Sequence, residues 1–323
     1  MRRIFVALLL SGMVATSLCA QTQETPAPAA GSPETTDPNR IKVRVDLVNV
    51  LFTVTDKKNR RILDLKRDDF QVLEDNKPQS IRYFSRETDL PLRIGLVLDT
   101  SNSVRDRLRF EQEAAIDFLS TTVRPKQDLA YLVSFDTATQ LVQDYTDDVE
   151  KLSDAIRELR AGGGTALFDT IYFACKEKML FFPPPDPYLR RVLVVISDGQ
   201  DNQSEHTRDE ALAMAQRGEV IIFAISTNRT GVQGQGDKVL KYLAQETGGR
   251  AFFPFAAADQ VRRFEDDLAT NFEEISRELR SQYSLAYFST NRTHDGTFRN
   301  VSIRTREKDV NVRAKSGYFA PSK

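Results

Sequence analysis

Oxygen-bearing side chains recur at three places where an apolar run ends. The run 92–98 passes into Asp99-Thr100-Ser101-Asn102-Ser103; Thr165 follows Gly162-Gly163-Gly164; and the run 192–196 passes into Ser197-Asp198-Gly199. In extended backbone, residues i, i+2 and i+4 point to one side, so Asp99, Ser101 and Ser103 are expected to converge on one point. The glycines before Thr165 permit close approach of backbone and free dihedral choice. Two carboxylates and three hydroxyls, without His or Cys, make an oxygen-only donor set for a hard cation. Magnesium fits, with manganese or calcium as alternatives, and some of these oxygens are expected to act through water. If the hydroxyls bind directly and the carboxylates through water, the ion keeps much of its charge and favours an outside carboxylate as its last ligand.

Each loop has a plainer reading. Ser101 or Ser103 suits the N-cap of a following helix, and Asp198 suits an ordinary turn. What favours a metal site is that the three loops fall in order at one edge of a single sheet. Positions 92–98, 129–135, 192–196 and 220–225 read as strands, with a further one over 251–255. The first, third and fourth are nearly continuous apolar runs, as in parallel strands covered on both faces. Between them are helical stripes: Val104, Leu108, Ala115, Phe118 and Leu119; Leu152, Ile156 and Leu159; and Val261, Phe264, Leu268, Phe272, Ile275 and Leu279. The pattern predicts an α/β fold with a doubly wound, mostly parallel sheet. Positions 139–144 add an antiparallel edge strand. In such a sheet ligands bind beyond the carboxyl ends of the strands, where the strand order reverses.

On either side the pattern changes to period two. Val43, Val45 and Leu47 alternate with Lys42, Arg44 and Asp46, then Val48, Val50, Phe52 and Val54 continue the period of two, and 70–73 and 81–84 continue as strands. The C-terminal stretch repeats this at 283–288, 301–305 and 310–312. Neither segment can bury its apolar face alone, so the two are expected to form one β-sandwich into which the α/β region is inserted.

The pattern Asp99-x-Ser101-x-Ser103, Thr165 after a glycine run, and Ser197-Asp198-Gly199 resembles the metal-ion-dependent adhesion site (MIDAS) of von Willebrand factor A domains. The chain is similar to secreted bacterial proteins of that kind over roughly 43–319, including the leading segment Asp64-Leu65-Lys66-Arg67-Asp68-Asp69-Phe70-Gln71-Val72-Leu73-Glu74-Asp75. The resemblance implies that Ser101, Ser103 and Thr165 supply hydroxyl ligands while Asp99 and Asp198 hold waters or bind directly. A second cation site in some integrin relatives needs successive carboxylates, and here Asp106 is followed by Arg107. The resemblance also implies an adhesion-type protein-binding module, not an enzyme, with a partner that offers an acidic side chain. A structural subunit of an envelope complex is the alternative. The strand-end Asp99 also loosely resembles the haloacid-dehalogenase phosphotransferases, but the position that should carry their general acid is Ser101. The glycine run is not a Walker loop, since no Lys precedes Thr165.

The remaining features bound the setting. Of 323 residues, 40% are hydrophobic and 28% charged, a globular balance, and the net charge of -1 offers no footprint for nucleic acid. Arg2 and Arg3 followed by a short apolar stretch read as a signal peptide over 1–20, cleaved near Ala20. Leu18 is too bulky to precede a lipidated Cys19, which predicts release to the periplasm or exterior without an integral membrane segment. Residues 21–40, rich in Pro and Ala, read as a linker. The organisation expected is therefore 41–88 and 280–323 as sandwich halves around an A domain over 90–279. Cys175 reads as a small core residue, His206 and His294 as solvated loop histidines, and the Phe181–Pro185 stretch as a loop capping the sheet edge.

Overall fold

The computed structural model describes residues 47–87, 89–181, 189–228, 232–254 and 261–322. The signal and linker segments, Cys19 and residues 182–185 lie outside the described residues. The elements in chain order are β1 (Leu47–Asp56), β2 (Phe70–Glu74), β3 (Lys77–Gln79), β4 (Ile81–Glu87), β5 (Leu92–Asp99), α1 (Leu108–Thr122), β6 (Leu129–Phe135), β7 (Thr139–Thr146), α2 (Val149–Glu158), α3 (Leu167–Phe173), β8 (Arg190–Ser197), α4 (Arg208–Arg217), β9 (Val220–Ser226), α5 (Gln235–Glu246), β10 (Ala251–Phe252), α6 (Val261–Leu279), β11 (Gln282–Phe288), β12 (Phe298–Thr305), β13 (Val310–Ala314) and β14 (Gly317–Phe319).

The central sheet has the order β10-β9-β8-β5-β6-β7, parallel except for the antiparallel edge strand β7. Alternation along its strands sorts side chains onto two faces. Leu92, Ile94, Leu96 and Leu98 of β5 pack with Phe118 of α1, Ile156 of α2 and Phe272 of α6. Val97 of β5, with Leu193 and Val195 of β8, packs with Ile171 of α3, Leu212 of α4 and Leu243 of α5. Burial on both faces explains why β5, β8 and β9 are apolar almost throughout. From β5 the chain crosses to β6 on one side, and from β8 to β9 on the other. The order thus reverses at the carboxyl ends of β5 and β8, where Asp99 and Asp198 lie.

The flanking segments interleave into two further sheets, β13-β1-β11-β4 and β14-β12-β2-β3. Val50, Phe52, Val72, Leu285 and Tyr287 fill the space between them, and the Phe52 and Tyr283 rings stack with centroids 5.3 Å apart. The doubly wound sheet is thus inserted in a β-sandwich built from both ends of the described chain.

Two local expectations need correction. The fifth parallel strand ends at Phe252, short of the predicted 255, because Pro254 cannot donate to a ladder. Val104 lies in a short 3-10 turn ahead of α1, not in the helix. Cys175 is fully buried, as expected of a small core residue, in the π-helical segment Ala174–Leu180 that continues α3. No helix of the described residues is long and apolar enough to cross a membrane.

Candidate functional site

Asp99 terminates β5 and is fully buried. Its Oδ1 accepts from the Ser101 backbone N–H at 2.9 Å and its Oδ2 from the Ser197 hydroxyl at 2.6 Å. The Ser101 and Ser103 hydroxyl oxygens lie 2.9 Å apart. Ser103 reaches Ser101 differently from the extended geometry expected: it sits inside the 3-10 turn Asn102–Val104, which folds it back. Ser101 occupies the N-cap position of that turn, yet its side chain makes no capping hydrogen bond. The plain capping reading therefore does not account for this hydroxyl.

The second loop is stitched to the first through backbone. Gly162 N–H donates to the Thr100 carbonyl at 2.7 Å, and Asn102 N–H donates to the Gly163 carbonyl. Gly163 has φ +75°, in the left-handed region that glycine enters without strain. Thr165 is buried and held from the third loop by Asn202: the Asn202 Oδ1 accepts from Thr165 N–H at 3.0 Å, and Asn202 N–H donates to the Thr165 carbonyl at 2.9 Å.

The third loop carries Asp198, whose Oδ1 accepts from Gln200 N–H at 3.0 Å as a turn residue does. Ser197 links this loop to Asp99 and also accepts from Gly199 N–H at 3.0 Å. Gly199 has φ +75°, and a Cβ there would stand 2.3 Å from the Gly236 carbonyl oxygen. The start of α5 thus packs directly on the Asp198 turn. Asp99, Ser101 and Ser103 are joined by hydrogen bonds, while Thr165 and Asp198 sit on the two neighbouring loops at the same sheet edge.

Burial pushes the Asp99 carboxyl above the ordinary carboxylate range, against hydrogen bonds from Ser197 and Ser101 that lower it, and the Asp198 charge adds to the rise. Among the described residues no Lys, Arg or His forms an ion pair with Asp99. A buried anion beside a second anion, surrounded by hydroxyl oxygens, is electrostatically suited to a small cation. The donor set fits a hard divalent ion in both charge and ligand type. Among the described residues no three His, Cys, Asp or Glu side chains gather as a metal cluster, and the donor set here is two carboxylates with three hydroxyls.

Sequence reasoning missed two supports of this site, the Ser197 hydroxyl and the Asn202 side chain. Ser197 stood in the quoted motif but without a role; Asn202 gave no signal, because its contact spans thirty-seven positions of sequence. The reading of His206 as a solvated histidine is corrected. Its ring stacks on Tyr172 with centroids 3.8 Å apart, and its Nδ1 lies 2.7 Å from Asp169 Oδ1.

The von Willebrand factor type A domain family matches residues 94–267, more than half of the chain, and the chain belongs to that family. No curated protein matches it in sequence. Among solved structures, it is similar to the PilB minor pilin from Streptococcus sanguinis, at 14% identity over 59% of this chain and 61% of that one, with a TM-score of 0.44. It is also similar to proximal thread matrix protein 1 of the mussel byssus with a zinc-occupied MIDAS motif, at 17% identity over 64% and 49% of the two chains and a TM-score of 0.47. A third is the vWF domain of the type V pili tip protein Mfa5 from Porphyromonas gingivalis, at 14% identity over 58% and 94%, with a TM-score of 0.46. The chain spans less than two thirds of the minor pilin and about half of the byssus protein.

Proposed function

We propose that the chain is an exported adhesion-type module that grips an acidic side chain of a protein partner through a divalent cation held by Asp99, Ser101, Ser103, Thr165 and Asp198. The observation that carries this reading is the fully buried Asp99, which no basic side chain among the described residues neutralises, set against the hydroxyl pair Ser101 and Ser103. Family membership agrees, since von Willebrand factor A domains commonly bind a divalent metal at a MIDAS and bind protein partners. A bound magnesium ion would supply the positive charge that attracts a partner carboxylate. The chain's own residues do the rest. Ser197 and the Ser101 amide orient Asp99, Asn202 fixes Thr165, and the glycines of the second and third loops bring backbone close enough for the three loops to meet.

Isothermal titration of the protein with magnesium, calcium and manganese tests the site. Saturable binding of at least one ion, lost in Asp99→Ala and in the double variant Ser101→Ala with Ser103→Ala, is expected. Absence of binding by all three, or unchanged binding in Asp99→Ala, would overturn the assignment. A pull-down from envelope extracts with and without chelator then tests the partner: retention that chelator abolishes is the signature of metal-bridged recognition. Retention indifferent to chelator would favour a structural envelope subunit. Hydrolysis of phosphate esters lost in Asp99→Ala would favour the phosphotransferase reading instead.

A further inference from the structure

A cleft of about 400 Å³ lies where the sandwich meets α6, within the usual range of small-ligand sites. Lys58, Arg60 and Arg61 enter it from the turn after β1, Arg313 from β13, and Arg250 and Arg277 from the α/β domain. Only two carboxylates, Glu274 and Glu278, face them across the lining.

Most of these cations have a partner. Arg250 pairs with Glu274 at 2.6 Å, and Arg313 pairs with the buried Glu278. Arg60 turns to Asp56 at 2.7 Å and Arg277 to Glu273 at 2.5 Å, both carboxylates outside the lining. Lys58 and Arg61 form no ion pair among the described residues, and Arg313 Nε is buried without a hydrogen-bond acceptor there. Even with Asp56 and Glu273 counted, cations exceed carboxylates by two.

An ordinary solvated charged face would let like charges spread apart. Here Arg61 is half-buried. Burial lowers its pKa, and Arg277 and Arg250 act in the same direction, against Glu278 and Glu274. Gathering guanidinium groups this way is unfavourable unless an anion joins them, and guanidinium geometry suits the paired oxygens of phosphate and sulfate. The surplus of two charges matches a doubly charged group.

We propose that this cleft is a binding site for a small polyanion bearing phosphate or sulfate groups, bound across the junction of sandwich and α/β domain. Titration calorimetry of the full chain with inorganic phosphate, pyrophosphate and a sulfated disaccharide tests it, and distinguishes a phosphorylated from a sulfated source. At least one probe should bind saturably, and Arg61→Gln and Lys58→Gln should each weaken that binding about tenfold, the loss expected for one charge-assisted contact. Lys58 is exposed, so its variant tests the site without endangering the fold. No binding by any of the three probes, or equal binding in wild type and both variants, would overturn the proposal.

Discussion

The hydroxyl of Ser197, at the end of β8, donates to Oδ2 of Asp99, at the end of β5, across a distance of 2.6 Å. The two strands are neighbours in the sheet, so this bond ties together the two loops on which both carboxylates of the candidate site stand. It also leaves Ser197 with a lone pair for Gly199 N–H, which sets the turn that carries Asp198.

Ser197→Ala should therefore weaken magnesium binding while sparing the fold. Groups that orient a metal ligand without touching the metal typically contribute ~10- to 100-fold in affinity. Calorimetric titration alongside a thermal melt separates the two effects: affinity should fall at least about tenfold with only a small shift in melting temperature. Unchanged affinity would show that Asp99 needs no such support.

The contact between Gly199 and Gly236 gives a second test, remote in sequence from every proposed ligand. A Cβ on Gly236 would lie 2.2 Å from the Asp198 carbonyl oxygen, a distance that forces backbone to move. Gly236→Ala should destabilise the protein by about 1–3 kcal/mol, as overpacking does. Displacement of the Asp198 turn should also reduce metal affinity. Urea denaturation measures the first effect and titration the second; wild-type values for both would mean that α5 yields freely.

Much of this arrangement was legible in the sequence, for identifiable reasons. The strands β5, β8 and β9 are buried on both faces, so their apolar runs stand out, and the strand-end oxygens follow directly from where those runs stop. The stripe of α6 is equally plain, since Leu268, Phe272, Ile275 and Leu279 all face one core. What was illegible lacks a periodic signal. The helix α4 buries Ala211 and Ala215 with a single Leu212, too faint a stripe to read. The edge strand β3 is only Lys77-Pro78-Gln79, without alternation. The folding back of Ser103 depends on a 3-10 turn, and the roles of Ser197, Asn202 and His206 depend on contacts between distant segments.

At the opposite end of the sheet, Asp128 is fully buried and accepts from Leu92 N–H at 2.8 Å, Arg124 N–H at 2.9 Å and Arg124 Nε at 3.0 Å, with Arg280 Nη2 at 2.5 Å. Burial raises its pKa, but the bonds from Arg124 and Leu92 together with the Arg280 charge outweigh it, and the net direction is down. A lowered carboxylate pKa adds stability above the unfolded value of about 3.9, and that stability is lost as pH falls through the lower folded value. Asp128→Asn should cost about 3 kcal/mol at neutral pH, the lower end for breaking a buried pair because Arg124 and Arg280 keep some solvent contact. The difference between wild type and variant should shrink on acidification below about pH 4. Urea titrations at both pH values check this, and a difference that stays constant would assign the stabilisation to hydrogen-bond geometry alone.

Removal of residues 282–323 tests the insertion of one domain within the other. In its sheet β1 lies between β11 and β13, and β2 pairs with β12. The truncation would strip β1 of both neighbours and expose Phe52, Phe70 and Val72, which pack against Tyr283, Leu285 and Val301. Each buried side chain of this size contributes ~1.5–3 kcal/mol, so the N-terminal half-sandwich has too little left to hold it together. The central strands from β5 to β10 pair only with one another, and their two cores are filled almost wholly from residues 92–279. Limited proteolysis of the truncated protein should therefore cut within 47–87 and leave a resistant core beginning near residue 90. That core should bind magnesium with wild-type affinity, because all five proposed ligands lie within it. A protected N-terminal segment would argue against the shared sandwich, and wholesale digestion would show that the inserted domain depends on its frame.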